Sequence, residues 1–121
     1  PNDAELAYLY SNCLFSIFVS FKEGWGLPIG ESLWFGRPVI CSNVSSMPEV
    51  GGNLAEYVNP YSLASIEEAV IKLTLDNEYR EQKCRQIAQA HLRSWSDVAL
   101  DLSQLLTQSI NYKGRRHAHA G

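Results

Sequence analysis

No stretch of this 121-residue sequence approaches the roughly 18 consecutive apolar residues that a membrane-spanning helix needs. Positive charge is also scarce. Against 13 Asp and Glu stand only 10 Lys and Arg, and the resulting net charge of −3 argues against non-specific nucleic-acid binding. Cysteine is sparse and odd in number: Cys13, Cys41 and Cys84 lie far apart and form no metal-ligand or redox spacing. Each sits beside apolar residues in an expected strand or helix, which reads as buried free thiols in a reducing compartment. No charged segment followed by an apolar stretch and a small-residue cleavage site opens the chain, so no secretory signal is expected. Repeats and low-complexity runs are absent too. What is left is the composition of a cytosolic α/β domain, with a length that suits one core.

The pattern of what is there alternates between two periods. Asn2 followed by Glu5 is a capping-box-like helix start, with Leu6, Leu9, Tyr10 and Cys13 on one face. LFSIFVS, residues 14 to 20, is nearly unbroken apolar and β-rich, as a strand buried on both faces of a parallel sheet reads. A helix is expected from about Pro28, stopped by Gly36 and kept from resuming by Pro38. PVICS (38–42) and AEYV (55–58) are two further short strands, separated by a loop with one helical turn from Pro48. Ser65 with Glu68 suggests a cap for the next helix, Asp76 for a further one, and Ser94 or Ser96 for the last. That order predicts a Rossmann-like three-layer α/β fold with a parallel sheet. The chain opens directly on a helix with no preceding strand, which suggests the later part of something longer. Residues 1–111 are expected to form the partial domain and 112–121 a flexible basic tail.

The segment EGWGLPIGE, residues 23 to 31, holds two carboxylates around a glycine-rich turn. It follows a strand and precedes a helix, the place where open α/β sheets bind ligands. Gly24 and Gly26 let a ligand approach the backbone. Neither Gly26 nor Leu27 carries a capping side chain, so the first helix amides are a ready seat for a phosphate. Glu31 falls in a largely apolar helix, where an ionised carboxylate needs partners. Sugar hydroxyls, a structural pair with Arg37, and plain exposure all satisfy that need. Glu23 is either a cleft residue or a solvated loop charge, and general acid/base work by the pair stays open as well.

Taken as a whole, SFKEGWGLPIGESLWFGRPVICSNVSSMPEVGG resembles the core signature of the retaining, sugar-nucleotide-dependent glycosyltransferases of family four, which have the GT-B fold. The matching residues are Ser20, Glu23, Gly24, Trp25, Gly26, Leu27, Pro28, Glu31, Gly36, Pro38, Val39, Ile40, Ser45, Pro48, Glu49 and Gly52. DAELAYLYSNC and RSWSDVALDL resemble the flanking helices, so the likeness covers about residues 2 to 106.

The resemblance implies the C-terminal half of a GT-B donor-binding domain. It implies that Glu31 holds the ribose hydroxyls of a nucleotide. Glu23, the expected catalytic residue, and the amides of Gly24, Trp25 and Gly26 would surround the donor sugar. The amide of Leu27 would face the diphosphate. Trp25 itself is expected to pack under the turn, and Glu49 to tie down its own loop. Neither glutamate is expected to be a simple nucleophile. The expected partners are a GDP- or UDP-linked sugar donor, a glycan or lipid-linked acceptor, and the N-terminal GT-B domain of the same chain. No cofactor, metal or nucleic acid is implied. The expected location is cytoplasmic, with peripheral contact at the inner membrane face made through the full-length protein. The upstream part would supply an Arg and a Lys that grip the diphosphate, so this segment alone is expected to bind donor weakly and transfer nothing. The alternative is a non-catalytic GT-B module serving as a partner or regulatory subunit.

Overall fold

A computed structural model describes residues 1–118, apart from the side chains of Trp95 and of residues 108–118. The chain divides into two compact units, Pro1–Ala90 and the segment that follows from His91. The first unit runs α1 (Asp3–Asn12), β1 (Ser16–Phe18), α2 (Leu27–Trp34), β2 (Val39–Ser42), α3 (Met47–Gly51), β3 (Glu56–Val58), α4 (Leu63–Leu75), α5 (Asn77–Gln89). Its three strands form a parallel sheet in the order β1-β2-β3. This is the Rossmann-like α/β fold expected from the alternating pattern.

Register explains how the faces are filled. Ser16 pairs with Val39 and Ile17 with Ile40, while Ile40 pairs with Glu56 and Ser42 with Val58. Side chains in register share a face and alternate along each strand. Ile40 and Val58 therefore meet Ala69 and Leu73 of α4 on one side, with Phe15, Val19, Ile66, Val70 and Tyr79 around them. On the other side the Ser16 hydroxyl donates to Ser32 of α2 at 2.7 Å, and Tyr57 donates to the Gly52 carbonyl just after α3 at 2.7 Å. All four residues of β2 are buried, as a strand with both faces covered must be.

Strand β1 departs from its expectation. It covers three residues rather than seven, and Ile17 is 52% exposed. Within this unit β1 is an edge strand, and α4 packs over β3 rather than over Ile17. Cys41 is fully buried, and that burial pushes its thiol up to about 12. Cys13 and Cys84 are half-buried, and all three are free thiols.

The caps follow sequence closely with one exception. Asn2 and Glu5 form the full reciprocal capping box, and Asp76 accepts from the Tyr79 amide at 2.9 Å. At α4 the cap is Ser62, which accepts from the Ser65 amide at 3.2 Å. Ser65 lies inside that helix, and its hydroxyl accepts from the Asn59 amide instead.

The second unit holds α6 (Trp95–Ala118). Ser94 is its cap, because the Asp97 amide donates to the Ser94 hydroxyl and the Ser94 amide donates back to the Asp97 carboxylate. The helix backbone continues to Ala118, into the segment 112–121 expected as a flexible basic tail. The last part of that tail, residues 119–121, lies outside the described residues. No helix among the described residues is long and apolar enough to cross a membrane.

Candidate functional site

The glycine turn leaves the C-terminal end of β1 and is held there by the loops that follow the other strands. The Ser20 amide donates to Ser42 Oγ at the end of β2, at 2.9 Å. In the loop after β2, the Ser45 hydroxyl donates to the Glu23 carbonyl at 2.8 Å and accepts from the Glu23 amide at 3.4 Å. Ser46 donates to the same carbonyl at 3.2 Å. From the loop after β3, the Tyr61 ring lies 5.0 Å from that of Phe21. Three loops thus converge at the carboxyl end of the sheet, where such folds place their ligand sites.

Gly26 ends the turn and opens α2 in the left-handed region, φ 77°. A Cβ there would approach Ile29 Cδ1 to 3.1 Å, so conformation and space both call for glycine. As expected, no side chain caps the helix. Among the described residues, the amides of Trp25, Gly26 and Leu27 have no hydrogen-bond partner. The Gly24 amide is already taken: it donates to Glu23 Oε1 at 3.0 Å. The open set in this structure is therefore Trp25, Gly26 and Leu27, and Glu23 folds its carboxylate back over the turn.

Trp25 does not pack beneath the turn. Its side chain is 63% exposed, because the space under Gly26 is filled by Ile29 and Met47, both completely buried. Leu27 is likewise 60% exposed, and its contribution to the turn is its amide.

Glu31 sits one turn into α2, half-buried, and accepts from the Tyr10 hydroxyl at 3.1 Å through Oε2. It makes no pair with Arg37. That guanidinium donates to the carbonyls of Tyr10 (3.1 Å) and Ser11, satisfying the otherwise open end of α1. The Tyr10 ring stacks on Phe35 at 5.5 Å. Burial first, then the Glu31 carboxylate, pushes its phenol up to about 12.

Sequence reasoning missed two contributors. Tyr10 reads as part of an apolar stripe, and nothing local links it to Glu31. Ser45 stood within the matched series without a role, whereas loop-tying was assigned to Glu49. Glu49 is exposed in the first turn of α3, and Ser45 and Ser46 tie the two loops together instead.

This arrangement, a strand, a glycine turn and an uncapped helix start, lies within the span matched by the family model for glycosyl transferases group 1, which covers residues 1–91. The chain belongs to that family. Among relatives of this group 1 glycosyltransferase chain is the O-antigen chain mannosyltransferase B of Escherichia coli. The two are 37% identical over 110 residues, which is 90% of this chain and 27% of that protein. The serotype-specific mannosyltransferase WbdA of Escherichia coli is 36% identical over 98 residues, 80% of this chain and 12% of that protein. The MMP alpha-(1->4)-mannosyltransferase of Mycolicibacterium hassiacum is 32% identical over 78 residues, 63% of this chain and 19% of that protein. The chain thus spans about a quarter or less of the relatives it matches.

Among the described residues no cluster of three His, Cys, Asp or Glu side chains could hold a metal ion. The chemistry present is of another kind. Three open amides stand at the positive end of a helix, with a carboxylate in the turn before it and another one turn into it. Amides suit phosphate oxygens, and carboxylates suit hydroxyl donors.

Proposed function

We propose that the chain is the donor-binding part of a longer retaining glycosyltransferase that uses a nucleotide-diphosphate sugar. The observation that carries this is the open amide set of Trp25, Gly26 and Leu27 at the start of α2, bracketed by Glu23 and Glu31. In this reading the amides take the diphosphate and Glu31 accepts from the ribose hydroxyls. Glu23 swings off the Gly24 amide to accept from the donor sugar, which frees that amide as a fourth donor. The bond from the anomeric carbon to the diphosphate breaks as the acceptor oxygen attacks that carbon from the same face. The acceptor's proton passes to the departing phosphate oxygen, and the helix terminus stabilises the leaving group's charge. Catalysis is then mainly orientation and charge stabilisation.

The named mannosyltransferases among the relatives support a mannosyl donor, GDP-mannose before a UDP-sugar. The O-antigen chain in the name of the Escherichia coli mannosyltransferase B supports a polysaccharide acceptor, and in this reading the donor is used on the cytoplasmic side. The diphosphate is held by amides in this reading, with further cations contributed by the upstream part of the polypeptide, so no cofactor is assigned. This segment by itself is expected to be inactive.

The test is a transfer assay on the full-length polypeptide with GDP-mannose and common UDP-sugars, with the product's anomeric configuration read by NMR. The reading expects transfer with retention, an increased donor KM in Glu31→Ala and a reduced kcat in Glu23→Ala. Failure of every sugar nucleotide to bind or react would overturn it.

A further inference from the structure

We propose that Tyr10 is a positioning residue for the nucleotide: its hydroxyl holds Oε2 of Glu31, leaving Oε1 as the oxygen that meets the ribose. The inference rests on the reading of Glu31 given above. Its own basis is geometric. The phenol donates to Glu31 Oε2 at 3.1 Å, with the Pro28 carbonyl at 3.4 Å as the longer acceptor for the same proton, so it sits over the first turn of α2 beside the carboxylate. Oε1 has no partner among the described residues.

Tyr10 is itself fixed from two sides. Its ring stacks on Phe35 at the end of α2, and Arg37 binds its carbonyl. α1 is thereby attached to α2 at both ends of the pair, and the phenol cannot follow Glu31 if that side chain rotates. A glutamate has several rotamers to lose when it binds, and one that is already held loses fewer. The raised phenol keeps its proton throughout the neutral range, so the donor is always present.

The ring and the hydroxyl separate cleanly in Tyr10→Phe, which keeps the stack and removes the donor. Because ribose lies away from the reacting bond, the loss is one of uniform binding: KM rises and kcat stays. The experiment uses the full-length polypeptide and measures Kd for GDP and UDP and for their 2′,3′-dideoxy counterparts. The wild type prefers the ribonucleotide. Tyr10→Phe reduces that preference roughly three- to ten-fold, the value of one hydrogen bond, and has no further effect in the Glu31→Ala background. A preference unchanged in Tyr10→Phe, or an effect that simply adds to that of Glu31→Ala, would overturn the positioning role alone. Absence of any ribose preference in the wild type would remove Glu31 as the ribose ligand, and this proposal with it. If Tyr10→Phe does not fold, 3,5-difluorotyrosine at position 10 supplies the test. Its phenol ionises at lower pH, so the ribose preference must fall as pH rises through that ionisation. A flat preference contradicts the proposal.

Discussion

Ser45 and Glu23, 22 residues apart in sequence, are joined by two hydrogen bonds through one hydroxyl, which donates to the Glu23 carbonyl and accepts its amide. Ser45 holds this position at φ 60°, in the left-handed region that side chains other than glycine's rarely adopt. A strained residue that also bridges two loops is a device for fixing the turn, and the strain of about 1 kcal/mol is offset by the bonds it permits.

Ser45→Ala keeps the strain and loses both bonds, so it should destabilise by about 1–2 kcal/mol in urea unfolding. Ser45→Gly loses the same bonds but relaxes the backbone, so it should cost less than Ser45→Ala. The reverse order would show that the backbone at position 45 is not strained. An unchanged stability in Ser45→Ala would show that the hydroxyl contributes nothing to the turn.

Trp25 and Ile29 offer the converse test of what lies beneath the turn. Trp25→Ala removes a mostly exposed indole and should change stability by no more than about 0.5 kcal/mol. Ile29→Ala empties a completely buried site and should cost about 2–5 kcal/mol. Comparable losses from the two substitutions would return the indole to the underside of the turn.

On the α4 face of β3, Glu56 accepts from Tyr79 at 2.6 Å and pairs with Lys72 at 3.4 Å and Lys83 at 3.6 Å. Burial by itself raises this carboxyl, but the Tyr79 hydroxyl and the two ammonium groups outweigh it and hold it below the usual glutamate range. A depressed folded value means stability that is present above the unfolded value of about 4.3 and is lost as pH falls through the folded one. Glu56→Gln should therefore unfold more easily than wild type at pH 7, with the difference shrinking below about pH 4. A difference that stays constant across that window would show that the charge is not what matters.

The elements themselves were readable because their signals are local. A proline near the helix start, Gly36 after its end (φ 72°) and the Asn2–Glu5 box each fix a boundary within a few residues. The short length of β1 was not readable, because LFSIFVS is nearly unbroken apolar and β-rich while only Ser16, Ile17 and Phe18 pair with β2 in this segment. The uncapped start of α2 was legible, since a missing side chain at Gly26 is a statement about one residue. What held Glu31 was not. Arg37 is nearer in sequence and of opposite charge, yet it is claimed by the carbonyl end of α1, and the partner is a tyrosine 21 residues upstream. Trp25 was misplaced for the same kind of reason: whether an indole fits under a turn depends on Met47, which arrives from another loop.

The most direct test of the account asks whether the open amides are the phosphate seat. The full-length polypeptide, with ¹⁵N at Trp, Gly and Leu, would be titrated with GDP and UDP while calorimetry follows the same binding. The account predicts that the Trp25, Gly26 and Leu27 amides shift together with the calorimetric saturation curve. Heat of binding with those three amides unmoved would contradict it.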